Sequence, residues 1–358
     1  MATIYARNVS EALHRGLGLL KERGVWQESR SGSVIEYPSP VTTTYKRPEE
    51  RVLFYKNRDA NPFFHLFESI WMLAGRDDVE YLSNFNKRME EYSDDGHTLH
   101  GAYGYRWREY FLTDQLDWIV LHLKEFPESR RAVLAMWCPD DLKRIIDSPE
   151  CNDVPCNTQV YFKIRSGCLD MTVTCRSNDI IWGAFGANAV HFSILLEYIA
   201  ARIGVPMGNY YQMSDSFHAY KEPYEKCLKI LDGDESGLWY DSYIGWNHGM
   251  HYTPEPMFPH PDSIDEDVKK FIERTSYIDG VRYIENKNKD MTVIPSSNFV
   301  NPFFAETAYR MFFAWSCHKI KDYDKALAIA SEISALDWRK ASIEWLERRK
   351  ERWELENK

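Results

Sequence analysis

Apolar positions recur at helical spacing from residue 10 to 23, where Leu13, Leu17 and Leu20 share one face and Gly24 ends the run. Residues 30 to 55 read instead as strands and turns, with Val34, Ile35, Val41, Val52, Leu53 and Phe54 set among Ser, Pro and Thr. Asn61-Pro62 then opens a helix through FFHLFESIWMLAG, since Asn can accept from the first free amides and Pro fits the first helical position. A helix near 115 to 125 precedes a strand in RRAVLAMW. QVYFKIR and CLDMTVTCR alternate as two strands joined at Ser166-Gly167 into a hairpin, and a long helix follows from about Ala187 to Ile203.

Beyond Tyr220 the periodic signal fades. Residues 232–300 are rich in Gly, Pro, Asp, His and aromatics and read as an irregular insertion with one or two short elements. From Asn301 the pattern is helical in three runs, NPFFAETAYRMFFAWSCHK, DYDKALAIASEIS and DWRKASIEWLERRKERWELE. The expected organisation is a core over 1–231, an insertion over 232–300 completing it, and a helical C-terminal extension over 301–358, like a small appended subdomain. The charges of the last helix read as a solvated face rather than a nucleic-acid arm.

Composition narrows the class. The 358 residues are 44% hydrophobic and 15% aromatic, enough for a large core and too much for general disorder. A net charge of −10 argues against a general binder of nucleic acid or anionic membrane, while leaving room for a local basic pocket that takes a small anion. Arg7, Glu11 and Arg15 stand where a signal peptide needs an apolar run. The apolar stretch 184–205 is broken by Asn188, His191, Glu197 and Arg202, which a lipid-exposed span would not carry. The seven cysteines form no C-x-x-C pair and read as free thiols. A soluble cytoplasmic protein is expected.

Generic catalytic motifs are absent: no G-x-G-x-x-G, no P-loop, no H-E-x-x-H and no G-x-S-x-G. His97, His100, Cys317 and His318 lack partners at metal-ligand spacing, so no metal is expected. Glu68 shares a helix face with Phe64, Trp71 and Met72, where desolvation would raise its pKa and suit it to proton transfer; a half-exposed glutamate at the helix edge is the alternative. Cys156 follows Pro155 at a strand entrance, where a thiol can face a cleft and nearby arginines would favour its thiolate. Six other cysteines compete for that role. Arg30, the Arg130-Arg131 pair and Arg176-Ser177 have the forked donors and hydroxyl that suit a phosphate, although single arginines more often form surface ion pairs.

Several segments together are more specific. RSGS at 30–33, ESIWMLAG at 68–75, GAYGYRW at 101–107, SRRAVLAMW at 129–137, PCNTQVYF at 155–162, RSND…WG at 176–183 and HAY at 218–220 run in one order. Over roughly residues 8 to 260 the chain resembles thymidylate synthases and their hydroxymethylase relatives. The resemblance implies an α+β fold, a mixed sheet packed with helices, and a homodimer with composite sites for a pyrimidine nucleotide monophosphate and 5,10-methylenetetrahydrofolate. Neither a membrane nor a nucleic-acid substrate is implied.

On this resemblance Cys156 is the nucleophile that adds to C6 of the pyrimidine, making C5 able to attack the folate's methylene group. Arg30, Arg176 and Ser177 match phosphate ligands, and Arg130 and Arg131 match the pair reaching the neighbouring subunit's phosphate. Glu68 matches the glutamate that organises water and proton transfer, and Tyr103 the tyrosine near C5. His218 and Tyr220 match ligands of the sugar 3′-hydroxyl. Asp179, with Arg58 and Gly183, belongs to the cofactor side.

Three departures bear on the reaction. Thymidylate synthases carry tryptophans between W-M-L-x-G and Y-G-x-x-W-R, one of them beside the folate; here RDDVEYLSNFNKRMEEYSDDGHTLH has none, and Arg88, Met89, Glu91 or Tyr92 takes those places. The family's apolar closing tail is replaced by ERWELENK, and the family's His after the nucleophile by Asn157. Weaker shielding should admit water to the exocyclic methylene group, giving hydroxymethyl where hydride transfer would give methyl, with Glu68 as the base. The base reader falls on Ala187 without a gap or Asn188 with one; the absence of Asp between Asp179 and Asp215 favours uracil. The expected function is C5 hydroxymethylation of a pyrimidine deoxynucleotide, dUMP before dCMP. The alternatives are a divergent thymidylate synthase and a catalytically idle nucleotide-binding paralogue whose tail serves as an interaction module.

Overall fold

A computed structural model describes residues 1–233, 241–244, 252–276 and 298–357. Much of the expected insertion, and Lys358, lies outside the described residues. Eight strands form one mixed sheet: β1 (Ala2–Ala6), β2 (Val25–Ser29), β3 (Gly32–Glu36), β4 (Val41–Tyr45), β5 (Val133–Ala135), β6 (Asn157–Arg165), β7 (Cys168–Asp179) and β8 (Met207–Tyr220). Their order is β1-β4-β8-β7-β6-β5, with β3 joining the far end of β8 and β2 hairpinned onto β3. The β6–β7 and β4–β8 pairs are antiparallel, β7–β8 and β1–β4 parallel.

The helices of this part are α1 (Val9–Arg23), α2 (Pro62–Leu73), α3 (Val79–Ser83), α4 (Tyr103–Arg108), α5 (Gln115–Glu125), α6 (Pro139–Asp147), α7 (Asn188–Ile203), α8 (Lys221–Cys227) and α9 (Ile264–Ser276); α1, α4, α5, α7 and α8 pack against the sheet, and α2 packs on α7. Asn61 caps α2 as its type requires, its Oδ1 accepting from the Phe64 amide at 3.2 Å. All of α2 is buried, as suits an apolar helix enclosed on every side. The β6–β7 turn holds Ser166 at φ 50° and Gly167 at φ 78°, the left-handed pair that matches strand twist. A π-helical segment, Ile180–Ala187, leads from β7 into α7. This stretch, Ile180–Ile203, has the length and apolarity to cross a membrane, but 89% of the apolar window is buried inside the protein, as in a core helix.

Some elements differ from the sequence expectation. RRAVLAMW yields only the three residues of β5, and the 14-residue β8 has no clear periodic signature because Gln212, Ser214 and His218 are polar yet buried. Within 232–300, α9 is a 13-residue helix with Val268, Phe271 and Ile272 turned inward.

The C-terminal segment folds as α10 (Pro302–Lys319), α11 (Tyr323–Ala330) and α12 (Leu336–Glu356). Phe63 of α2 meets Trp315 of α10 and Trp345 of α12, each at 5.5 Å between ring centroids, and Phe67 meets Phe312 edge-on. One apolar cluster thus runs from Ile4 to Leu346.

Candidate functional site

β7 and β8 run parallel with Ser177 opposite Ser216 and Asp179 opposite His218, so side chains from both strands reach one cavity. Its volume is about 430 Å³, and its wall includes Arg30, Arg176, Ser177, His218 and Tyr220, five residues drawn from three separate parts of the sequence. Arg30 enters from the β2–β3 turn and anchors to the Cys151 carbonyl at 3.0 Å. His218 is fixed by Ser216, whose Oγ lies 3.0 Å from Nδ1. Two guanidiniums, serine hydroxyls and an imidazole make a donor set suited to a phosphorylated sugar.

Arg176 links this cavity to the thiol. Its guanidinium donates to the Val154 and Pro155 carbonyls at 3.0 Å each, and its Nη2 lies 3.8 Å from Cys156 Sγ. The Arg176 amide also donates to the Cys156 carbonyl, which seats the loop that carries Cys156 on β7. Burial pushes the Cys156 thiol up; Arg176 and Arg30 pull it down, while Asp153 pushes it up further. All seven cysteines are free, and Cys156 alone among them touches the Arg176 guanidinium.

Behind Cys156, Asn157 is fully buried and its Oδ1 accepts from the Cys175 thiol at 2.7 Å. Burial raises the Tyr103 phenol well above its ordinary value, with Cys156, Cys175 and Glu68 adding negative potential and Asn157 opposing. The four residues expected to carry the chemistry, Cys156, Tyr103, Asn157 and Glu68, therefore converge. Gly104, next to Tyr103, permits this, because a Cβ there would lie 2.0 Å from the Met72 carbonyl of α2. Glu68 is buried, with Oε2 2.9 Å from His191 Nε2 though not in hydrogen-bond alignment. His191 was not among the expected site residues. Its signal was a histidine inside the long apolar stretch 184–205.

Asn188, one α7 turn before His191, donates from Nδ2 to Asn178 Oδ1 at 3.1 Å, and Asn178 donates to Ser214 Oγ at 2.9 Å. The Asn188 carbonyl oxygen is left as an acceptor. Gly183 packs against both amides: a Cβ there would sit 2.8 Å from Asn178 Oδ1.

At the junction of β7 and α7 stands an aromatic and cationic cluster. Trp182 is 39% exposed, with Arg58 and Arg88 placed 5.9 and 5.8 Å from its ring centroid. Arg58 Nε donates to the Ile181 carbonyl at 2.7 Å. Asp179 caps the π-helical segment by accepting from the Ile181 and Trp182 amides, and burial raises its carboxyl. Of the four residues offered in place of the family's tryptophans, Arg88 stands over Trp182, Met89 is buried, Tyr92 is half-buried and Glu91 is exposed. An exposed indole between two cations fits an aromatic ligand with an anionic end, as a folate is.

Arg130 and Arg131 are exposed on the strand lead-in before β5 and line no part of the cavity of their own chain.

The chain is similar to known proteins along most of its length. The family model for thymidylate synthase matches residues 19–237. The chain is 44% identical to the deoxyuridylate hydroxymethyltransferase of Pseudomonas phage M6, over 99% of this chain and 96% of that one. It is 40% identical to the enzyme of the same name from Bacillus phage SP01, over 62% of this chain and 63% of that one. A putative thymidylate synthase of Methanosarcina acetivorans is 30% identical over 64% of this chain and 94% of that one. Among solved structures, thymidylate synthase from T4 phage aligns with a TM-score of 0.49 and 20% identity, over 62% of this chain and 80% of that one. A family model that matches more than half of the chain and a relative 44% identical along nearly all of it lead to one statement: the chain belongs to the thymidylate synthase family.

Proposed function

We propose that this protein is a one-carbon transferase that hydroxymethylates C5 of dUMP. The observation that carries the reading is the contact between Cys156 and Arg176, because Arg176 lines the sugar-phosphate cavity and touches the thiol at once. A nucleotide whose phosphate meets Arg30, Arg176 and Ser177, and whose sugar meets His218 and Tyr220, would bring C6 to Cys156. Thiolate addition to C6 leaves C5 as the carbon that forms the new bond. 5,10-Methylenetetrahydrofolate supplies the one-carbon unit at the methylene level when bound.

The C5 proton and the folate amine must then leave, giving an exocyclic methylene group on a ring still bonded to Cys156 Sγ; once water has added to that methylene, Sγ is expelled and the C5–C6 double bond is restored. Tyr103 lies near enough to assist the proton transfer. Buried Glu68, next to His191, is suited to take a proton from the water that adds to that methylene. Arg88 over Trp182 supports water as the nucleophile that adds to the methylene, since an exposed guanidinium replaces apolar shielding there. The free Asn188 carbonyl oxygen matches uracil N3–H; cytosine offers a lone pair there.

We further propose a homodimer in which Arg130 and Arg131 reach the phosphate of the neighbouring copy, an enzyme working in the cytoplasm, and a chain organised as 1–231, 232–300 and 301–358. The activity is tested by mass spectrometry of products from dUMP and dCMP with methylenetetrahydrofolate, alongside dihydrofolate release. A product heavier by CH2O without stoichiometric dihydrofolate is the expected result. A product heavier by CH2 with one dihydrofolate per turnover would establish a thymidylate synthase instead.

A further inference from the structure

Asp59 stands in the loop before α2 with φ 50°, a left-handed conformation that most residues with a Cβ avoid. Its carboxylate is held from the far end of the sequence: Arg348 Nε and Arg349 Nη2 donate to Oδ1 and Oδ2 at 3.0 and 2.9 Å. Burial disfavours the charged carboxylate, yet the two guanidiniums outweigh it and hold the Asp59 carboxyl below its ordinary range. Arg349 also stacks over Trp345 at 4.2 Å, and Trp345 packs on Phe63 of α2. The grip on Asp59 is therefore seated in the core.

One residue earlier, Arg58 points the other way, to the Ile181 carbonyl and the Trp182 ring. Its fit is close, since a Cβ on Gly186 would lie 2.9 Å from Arg58 Nη2. Successive side chains of one loop thus bind the C-terminal helix and the Trp182 cluster.

We propose that Asp59 is a positioning residue through which the C-terminal helix α12 holds Arg58 against Trp182, so that the extension shapes the folate-binding edge. The identity of the ligand at that edge rests on the function proposed above; the grip itself does not. Asp59→Asn keeps shape and removes charge. Asp59→Gly removes the grip but relieves the backbone. Arg349→Lys keeps a cation.

The test uses the full chain with saturating dUMP and reads tetrahydrofolate affinity by tryptophan quenching, dUMP affinity by calorimetry, and Tm. Asp59→Asn and Asp59→Gly are expected to weaken tetrahydrofolate binding by about five- to tenfold, the scale of one lost contact, with dUMP affinity unchanged and Arg349→Lys in between. Unchanged folate affinity, parallel loss for both ligands, or wild-type behaviour of Asp59→Gly overturns the proposal. A ligand-free arm separates it from the functional reading: acrylamide quenching of the Trp182 component, taken by difference from Trp182→Phe. A changed component in Asp59→Asn supports the grip even where the wild type binds no folate, a result that would instead sink the folate reading. An unchanged component overturns the grip.

Discussion

Cys156 is the proposed nucleophile, and its neighbours set the surroundings of its thiol. Cys156→Ser is nearly isosteric and should leave folding and dUMP binding intact while turnover falls by orders of magnitude; turnover near wild type, measured with dUMP, would remove the nucleophile role. Arg176 touches both thiol and cavity, so Arg176→Ala should weaken dUMP binding far more than deoxyuridine binding, by about 1.5–3 kcal/mol for a charge-assisted contact. Equal losses for nucleotide and nucleoside would make Arg176 a structural residue. Asp153 was not anticipated. Its Oδ2 accepts from the Gly101 amide at 3.0 Å, and burial pushes its carboxyl up to about 6.

The sign of that shift is specific. Between an unfolded value of about 3.9 and about 6 the native state holds the extra proton, so Asp153 contributes stability at low pH that is lost as pH rises through 6. Once ionised it also raises the Cys156 thiol. Asp153→Asn should therefore move the pH profile of Cys156 alkylation to lower pH and flatten the stability slope between pH 4 and 6. An unmoved profile would show that Asp153 does not face the thiol.

At the scale of elements, local chemistry explains what was legible. Asn61-Pro62 marked α2 because capping needs only neighbours in sequence, and Ser166-Gly167 marked the hairpin because turn geometry is local. β8 escaped because its polar residues are buried by partners on two sides, β4 and β3 on one edge and β7 on the other. A strand that carries a site trades apolar alternation for Gln212, Ser214 and His218. The tie between α2 and the C-terminal helices was equally invisible, since Phe63 reads as apolar whatever it meets. Phe63→Ala should cost about 3–5 kcal/mol, as Trp315 and Trp345 lose a shared partner. Urea unfolding measures it; a loss below about 1 kcal/mol would mean that α10 and α12 barely depend on α2.

At the scale of the molecule, the composite site makes a testable demand. Arg130 and Arg131 are exposed and line no part of that cavity in their own chain, so their proposed work lies on a neighbouring copy. Cys156→Ser and Arg130→Ala/Arg131→Ala chains should each be nearly inactive alone. Mixed after mild dissociation they should regain activity, because one site of each mixed dimer pairs an intact Cys156 with intact arginines. No recovery, with exchange shown by mass, would confine the site to one chain.

By itself the sequence determined whatever depends on neighbours in the chain or on the order of segments: the α2 start, the β6–β7 turn and the family. Cys156 stood out from six other thiols only through the segment around it. Tertiary structure decided the rest. The nearness of Glu68 to His191, the seat of Asp153 beneath Gly101 and the hold of Arg348 and Arg349 on Asp59 join residues whose separation in sequence is set by the fold. Such contacts leave no local trace, because a buried charge is stabilised by a partner that only chain folding brings within about 4 Å.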